Sequence, residues 1–112
     1  MTKQLELLGG APIQYEKGVK DQIKKILTNT AKCWWFMPPA NGYGRSGIPD
    51  IIGEVNGCMF AVEAKSGRGK TTAHQVREIE GIMQAGGKVW IVREQTLDDF
   101  RIEFAGWAAI CS

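Results

Sequence analysis

The chain predicts an α/β fold with helices flanking a mixed β-sheet. Three observations carry that prediction. Residues 14–29 place apolar side chains on one side, at Tyr15, Val19, Ile23, Ile26 and Leu27. Their offsets of +4, +4, +3 and +1 are those of an amphipathic helix. Residues 48–65 form two apolar runs either side of Asn56-Gly57, the strongest short hairpin signal. A second helical stripe then gives way to KVWIVRE at 88–94, a strand of alternating or buried type. The order helix, strands, helix, strand is that of an α/β sandwich.

The remaining elements follow along the chain. KCWWFM at 32–37 reads as a short aromatic strand that Pro38-Pro39 ends. Trp34 and Trp35 are adjacent, so on a strand they face opposite ways. One belongs to the core; the other is available to a subunit interface or to nucleic acid. NGYGRSG at 41–47 is a glycine-rich loop and SGRGK at 66–70 a basic one. Thr72 opens the second helix, with Ala73, Val76, Ile79, Ile82 and Met83 along one side, and Gly86-Gly87 closes it. Thr96-Leu97-Asp98-Asp99 looks like a further helix start, with an acid three residues after a threonine. The final stretch, FRIEFAGWAAICS, is ambiguous by pattern. There is no repeat, low-complexity segment or internal linker, so residues 1–112 read as one domain.

Composition narrows the setting. A chain of 112 residues can bury a real core without disulfide staples. Its 44% apolar and 23% charged residues are an ordinary globular balance. A net charge of +2 permits a nucleic-acid partner without arguing for one. Cys33, Cys58 and Cys111 are odd in number with no C-x-x-C, so neither a disulfide framework nor a thiolate zinc site is supported. No stretch has signal-peptide character or the length of a membrane span. A soluble, reducing, cytoplasmic setting is expected. His74 is the only histidine, so no histidine metal site can be completed. It lies one residue off the apolar stripe and is expected on the surface.

The hairpin GIPDIIGEVNGCMFAVEAK at 47–65 holds three charges that an ordinary core strand would not. With Asn56-Gly57 at the centre of a two-residue turn, opposed residues have numbers summing to 113. Asp50 then falls opposite Glu63, on the same face. Lys65, two residues on, shares that face, with Ile48 as its cross-strand neighbour. Phe60, Val62 and Ala64 take the other face, which suits a core. Two opposed carboxylates repel, and a hard divalent cation with oxygen ligands relieves them. Lys65 beside such a site would orient the attacking water or hold a phosphate. The plain alternatives are a turn acid after Pro49 and an exposed Glu63/Lys65 stripe on an edge strand.

Pro49-Asp50, followed after 12 residues by Glu63-Ala64-Lys65, resembles the PD-(D/E)xK nuclease motif. The wider frame adds Glu16, the Gly47-Ile48-Pro49-Asp50 lead-in, and Gln75 ten residues beyond Lys65. That frame is similar to the VRR-NUC family of virus-type replication-repair nucleases, in a stand-alone form such as phages carry. The resemblance implies a restriction-endonuclease-like core and a Mg²⁺ or Mn²⁺ cofactor. By it, Asp50 and Glu63 bind the metal with the backbone carbonyl of Ala64, and Lys65 assists the nucleophilic water. Glu16 approaches from the first helix through water, and Gln75 supports the site or contacts substrate. It also implies DNA recognised by shape, branched or flapped.

The outer residues have competing readings. Glu16 sits where an acid simply complements a helix dipole, yet it lies near the middle of the apolar face. Gln75 fits a capping box with Thr72. Arg45, Lys65, Arg68, Lys70 and Arg77 surround the site in sequence and suit a phosphate backbone; otherwise the loops are merely solvated. Tyr43 would stack on or wedge a base. The expected function is a structure-selective, metal-dependent DNA endonuclease of Holliday-junction or flap type. A homodimer would present two sites to a two-fold junction. The rivals are a non-catalytic nucleic-acid-binding module, a sequence-specific restriction-type nuclease, and a structural domain with a surface acid pair.

Overall fold

The computed structural model describes residues 16–39 and 44–111, the side chains of residues 16 and 17 excepted. Helix α1 spans Glu16–Thr28, strand β1 Cys33–Phe36, β2 Ile51–Val55 and β3 Cys58–Ala64. Helix α2 spans Ala73–Gln84, β4 Lys88–Val92, and a 3-10 turn at Glu94–Thr96 leads into α3, Leu97–Cys111. The strands form one sheet in the order β1-β2-β3-β4. The first three are antiparallel, and β4 joins β3 in parallel. The mixed sheet and helix order expected from sequence are therefore present. No described helix is long and apolar enough to cross a membrane.

The hairpin turns where the sequence says it should. Asn56 and Gly57 take φ values of 49° and 91°, the left-handed pair a tight hairpin turn needs. The ladder runs Val55↔Cys58 to Ile51↔Val62, so the register summing to 113 holds throughout. It ends there. Ile48 does not pair with Lys65 as expected; the Lys65 amide instead donates to the Val92 carbonyl on β4 at 2.9 Å. β3 is a central strand, and a residue leaving the hairpin finds its next partner on the other side.

Register fixes which residues share a face. Cys33 and Trp35 of β1, Ile51, Gly53 and Val55 of β2, Phe60, Val62 and Ala64 of β3, and Trp90 and Val92 of β4 point to one side. Helices α1 and α3 cover that side, burying Val19, Ile23, Leu27, Leu97, Phe100, Phe104 and Ala108. Phe60, Trp90, Phe100, Phe104 and Trp107 meet edge-on or tilted, with centroids 5.1–5.9 Å apart. This burial explains α3: Leu97, Phe100, Phe104 and Ala108 repeat at +3, +4 and +4. The pattern was obscured by Ile102 and Ile110, which face solvent. At the start of α3, the Thr96 hydroxyl turns back to accept from the Arg93 amide at 2.9 Å.

The opposite face carries Trp34, Phe36, Ile52, Glu54, Met59, Ala61, Glu63, Val89 and Ile91. Helix α2 packs there, with Ile82 against Gly87. Its packed side differs from the expected apolar stripe. Ala73, Val76 and Met83 are exposed, while Gln75 and Ile79 are half-buried and Glu78 is buried. A helix of mixed pattern has turned its polar residues inward because they have charged partners there. Thr72 caps it as expected, accepting from the Gln75 amide at 3.2 Å while the Thr72 amide donates to Gln75 Oε1 at 2.9 Å. Thr72→Ala is expected to cost about 1 kcal/mol, read as a lower urea midpoint at unchanged slope.

Candidate active site

The site forms where the hairpin ladder stops. Asp50 lies just before β2, and Glu63 is the next-to-last residue of β3. In place of a further ladder pair, their carboxylates bond across the gap. The Asp50 amide donates to Glu63 Oε1 at 3.2 Å, and the Ala64 amide donates to Asp50 Oδ2 at 2.8 Å. Each carboxylate is thus oriented by a backbone N–H of the other's segment.

Gln75 joins helix α2 to this row. Its Nε2 donates to Glu63 Oε2 at 2.9 Å, and its Oε1 accepts from Lys65 Nζ at 2.7 Å. Lys65 Nζ also lies 3.7 Å from Glu63 Oε2. Both Glu63 and Lys65 are buried. Burying charges requires partners and hydrogen bonds, and this network supplies them. Gln75 therefore caps helix α2 and bridges Glu63 and Lys65 with one side chain. The structure brings together four of the five residues expected from sequence to be catalytic: Asp50, Glu63, Lys65 and Gln75. The fifth, Glu16, begins helix α1, and its side chain lies outside the described residues, as does Tyr43.

Lys20 was not anticipated. Its Nζ lies 3.4 Å from Asp50 Oδ1, one helical turn after Glu16. The only signal was its place beside Val19 on the helix, which also suits an exposed lysine. With Lys65 at Glu63 and Lys20 at Asp50, each carboxylate has an ammonium partner. The expected repulsion is thereby balanced within the protein.

Glu78 was also missed, because a glutamate between apolar residues of a helix is normally read as solvated. Arg45 forks onto it, Nε to Oε2 at 3.1 Å and Nη2 to Oε1 at 2.8 Å, with Arg77 Nη2 at 3.7 Å. Such bidentate pairing is both directional and strong. It clamps the loop leading to Asp50 against α2. Gly47 completes the clamp: its φ is +88°, and a Cβ there would sit 2.4 Å from the carbonyl carbon and oxygen of His74. Arg45→Ala is expected to cost about 1–3 kcal/mol by leaving Glu78 underpaired, moderated because Arg45 faces solvent. A denaturant titration reads this directly.

Arg45 and Arg77 thus spend part of their charge on Glu78, although their outer edges remain exposed. Arg68 and Lys70 are exposed in the loop after β3, and His74 is exposed as expected. Two adjoining carboxylates are the oxygen donors that a hard cation keeping several waters takes. Among the described residues, no cluster of three or more His, Cys, Asp or Glu side chains could hold a metal. Any ion would rest on Asp50 and Glu63 with lighter support. In comparisons with known proteins, the chain matches no family model and no curated sequence.

Proposed function

We propose that the protein is a metal-dependent DNA endonuclease built on a restriction-endonuclease-like core, akin to VRR-NUC domains. The observation that carries this reading is that Asp50 and Glu63 each bond the other's backbone segment while Gln75 ties Glu63 to Lys65. A surface acid pair has no need of a buried glutamate, a buried lysine and a bridging amide. The residues that would hold Mg²⁺ or Mn²⁺ are Asp50, Glu63 and the Ala64 carbonyl, with Glu16 through water. When bound, such an ion polarises the scissile phosphate and lowers the pKa of a water.

The chain's own groups do the rest. Lys65, held from one side by Gln75 and Glu63, directs its remaining N–H bonds at the attacking water or a non-bridging phosphate oxygen. There it offsets charge that grows as the water oxygen bonds to phosphorus and the bond to the leaving sugar oxygen breaks. Lys20 balances Asp50 and stands where a second phosphate oxygen would approach. Arg68 and Lys70 serve the flanking phosphates. We favour branched or flapped DNA, bound by a homodimer whose two sites match a two-fold junction.

The test is cleavage of labelled junction, flap, splayed-arm, duplex and single-stranded DNA, with Mg²⁺ and with Mn²⁺. Wild type is expected to cut branched DNA faster than duplex, and Lys65→Ala to fall about 10²–10³-fold. No cleavage in any lane removes the nuclease reading. A monomer by light scattering at micromolar concentration removes the dimer. A second reading, a non-catalytic nucleic-acid-binding module, draws on the Lys20–Asp50 and Lys65–Glu63 pairs, which leave both carboxylates balanced without metal. Calorimetry with no Mn²⁺ binding, for wild type and Lys20→Ala alike, favours it.

A further inference from the structure

Strand β1, at the edge of the sheet among the described residues, presents two aromatic rings on the same face as Glu63. Trp34 is 62% exposed and Phe36 43% exposed, with ring centroids 5.5 Å apart and planes tilted by 35°. Large aromatics are normally the last residues a domain leaves in water. Among the described residues the core does not use them: of the adjacent tryptophans, Trp35 packs inward.

Register locates them relative to the site. Phe36 lies opposite Ile52, and Asp50 is two residues back along β2's line. Strand spacing and rise place the Phe36 backbone about 8 Å from that of Asp50, and Trp34 about 14 Å away. Those distances are the reach of one or two extended nucleotides. Between β1 and α2 lie half-buried Ile52 and partly exposed Met59, with the exposed carboxylate of Glu54 between Trp34 and Met59.

Charge orients what would lie there. Glu54 is exposed directly across from Trp34, which disfavours a phosphate on the β1 side. Arg45 and Arg77 share the single carboxylate of Glu78 along α2, with 74% and 60% of their side chains exposed. A strand with its phosphates along α2 and its bases over β1 satisfies both. Stacking needs an exposed base face, so those bases must be unpaired.

We propose that Trp34 and Phe36 form a stacking platform for one or two unpaired bases adjoining the cleaved phosphate. This rests on the nuclease reading for its orientation. The substrate class is then DNA with a single-stranded segment at the cut, such as a flap or splayed arm, over intact duplex.

The experiment measures anisotropy of a labelled ten-nucleotide oligo(dT) and of a blunt duplex, in EDTA so that nothing is cut. Wild type is expected to bind oligo(dT) more tightly than duplex. The double variant Trp34→Ala/Phe36→Ala should lose tenfold or more on oligo(dT) and little on duplex. Trp34→Tyr should retain binding and Trp34→Leu should not, which separates stacking from simple greasiness. Both residues are exposed, so the variants should keep the wild-type melting temperature. Equal affinity of wild type and the double variant overturns the platform, as does absence of oligo(dT) binding by wild type. A double variant that turns a dimer into a monomer at unchanged DNA affinity instead makes this face a contact between copies. Wild type that binds oligo(dT) through these rings but cuts no DNA keeps the platform and loses the nuclease.

Discussion

Glu63→Gln is expected to lower cleavage by about 10³-fold or more, beyond the loss of one ligand charge. Glu63 accepts on both sides, from the Asp50 amide and from Gln75 Nε2. A glutamine there has one acceptor and one donor. If its NH₂ faces Asp50, two donors oppose directly. If it faces Gln75, that amide must rotate and present its own NH₂ to Lys65 Nζ and the Thr72 amide, which now share Gln75 Oε1. Either arrangement strands a half-buried donor at about 1–3 kcal/mol. The variant should therefore melt earlier than wild type as well as cut more slowly. Asp50→Asn should lose a comparable rate with a smaller melting shift, because it can keep the Ala64 bond and the partly exposed Lys20 ammonium, opposed by the new NH₂, can turn to water. Single-turnover cleavage and a thermal melt on the same samples separate the two effects. Wild-type cleavage by Glu63→Gln would overturn the assignment of the site.

Gly47→Ala is expected to destabilise the fold by about 3 kcal/mol or more, a melting shift of roughly 10 °C or more. The added methyl meets backbone, not a movable side chain, and the φ of +88° is itself strained for alanine. The loop would lift from α2, and Asp50, three residues on, would move with it. Gly44→Ala, in the same loop but with nothing within 4 Å of the added carbon, should change stability by less than about 0.5 kcal/mol. Similar melts for both variants would show that the loop is not held by its contact with α2.

What could be read from sequence was whatever local rules decide. Asn56-Gly57 has a preferred turn, and a turn fixes every pair in the ladder it starts. Thr72 and Gln75 announce a cap by spacing alone. What could not be read depends on which element lies opposite. The orientation of Trp34 and Trp35 follows only from the pairing of β1 with β2, across a connection of 14 residues too long for any one turn to fix the register. Glu78 cannot be told from a solvated glutamate by sequence, because its partner Arg45 is 33 residues away. Lys20 stood on the right helix, but nothing local distinguishes a lysine facing Asp50 from one facing water. The stripe expected on α2 holds only at Ile79 and Ile82 for the same reason: apolar spacing predicts the inner face only when no charged partner waits there.

Gln75 has a consequence for which sequences this fold can use. Capping boxes accept glutamate as readily as glutamine, since either oxygen serves the threonine amide. Here that interchange is closed. The other end of the same side chain must give a hydrogen to Glu63, and a carboxylate has none to give. A glutamate at position 75 would keep the helix start and set a third negative oxygen pair beside the acids. One planar amide therefore couples two vocabularies, that of helix starts and that of the site, and leaves a single residue that speaks both.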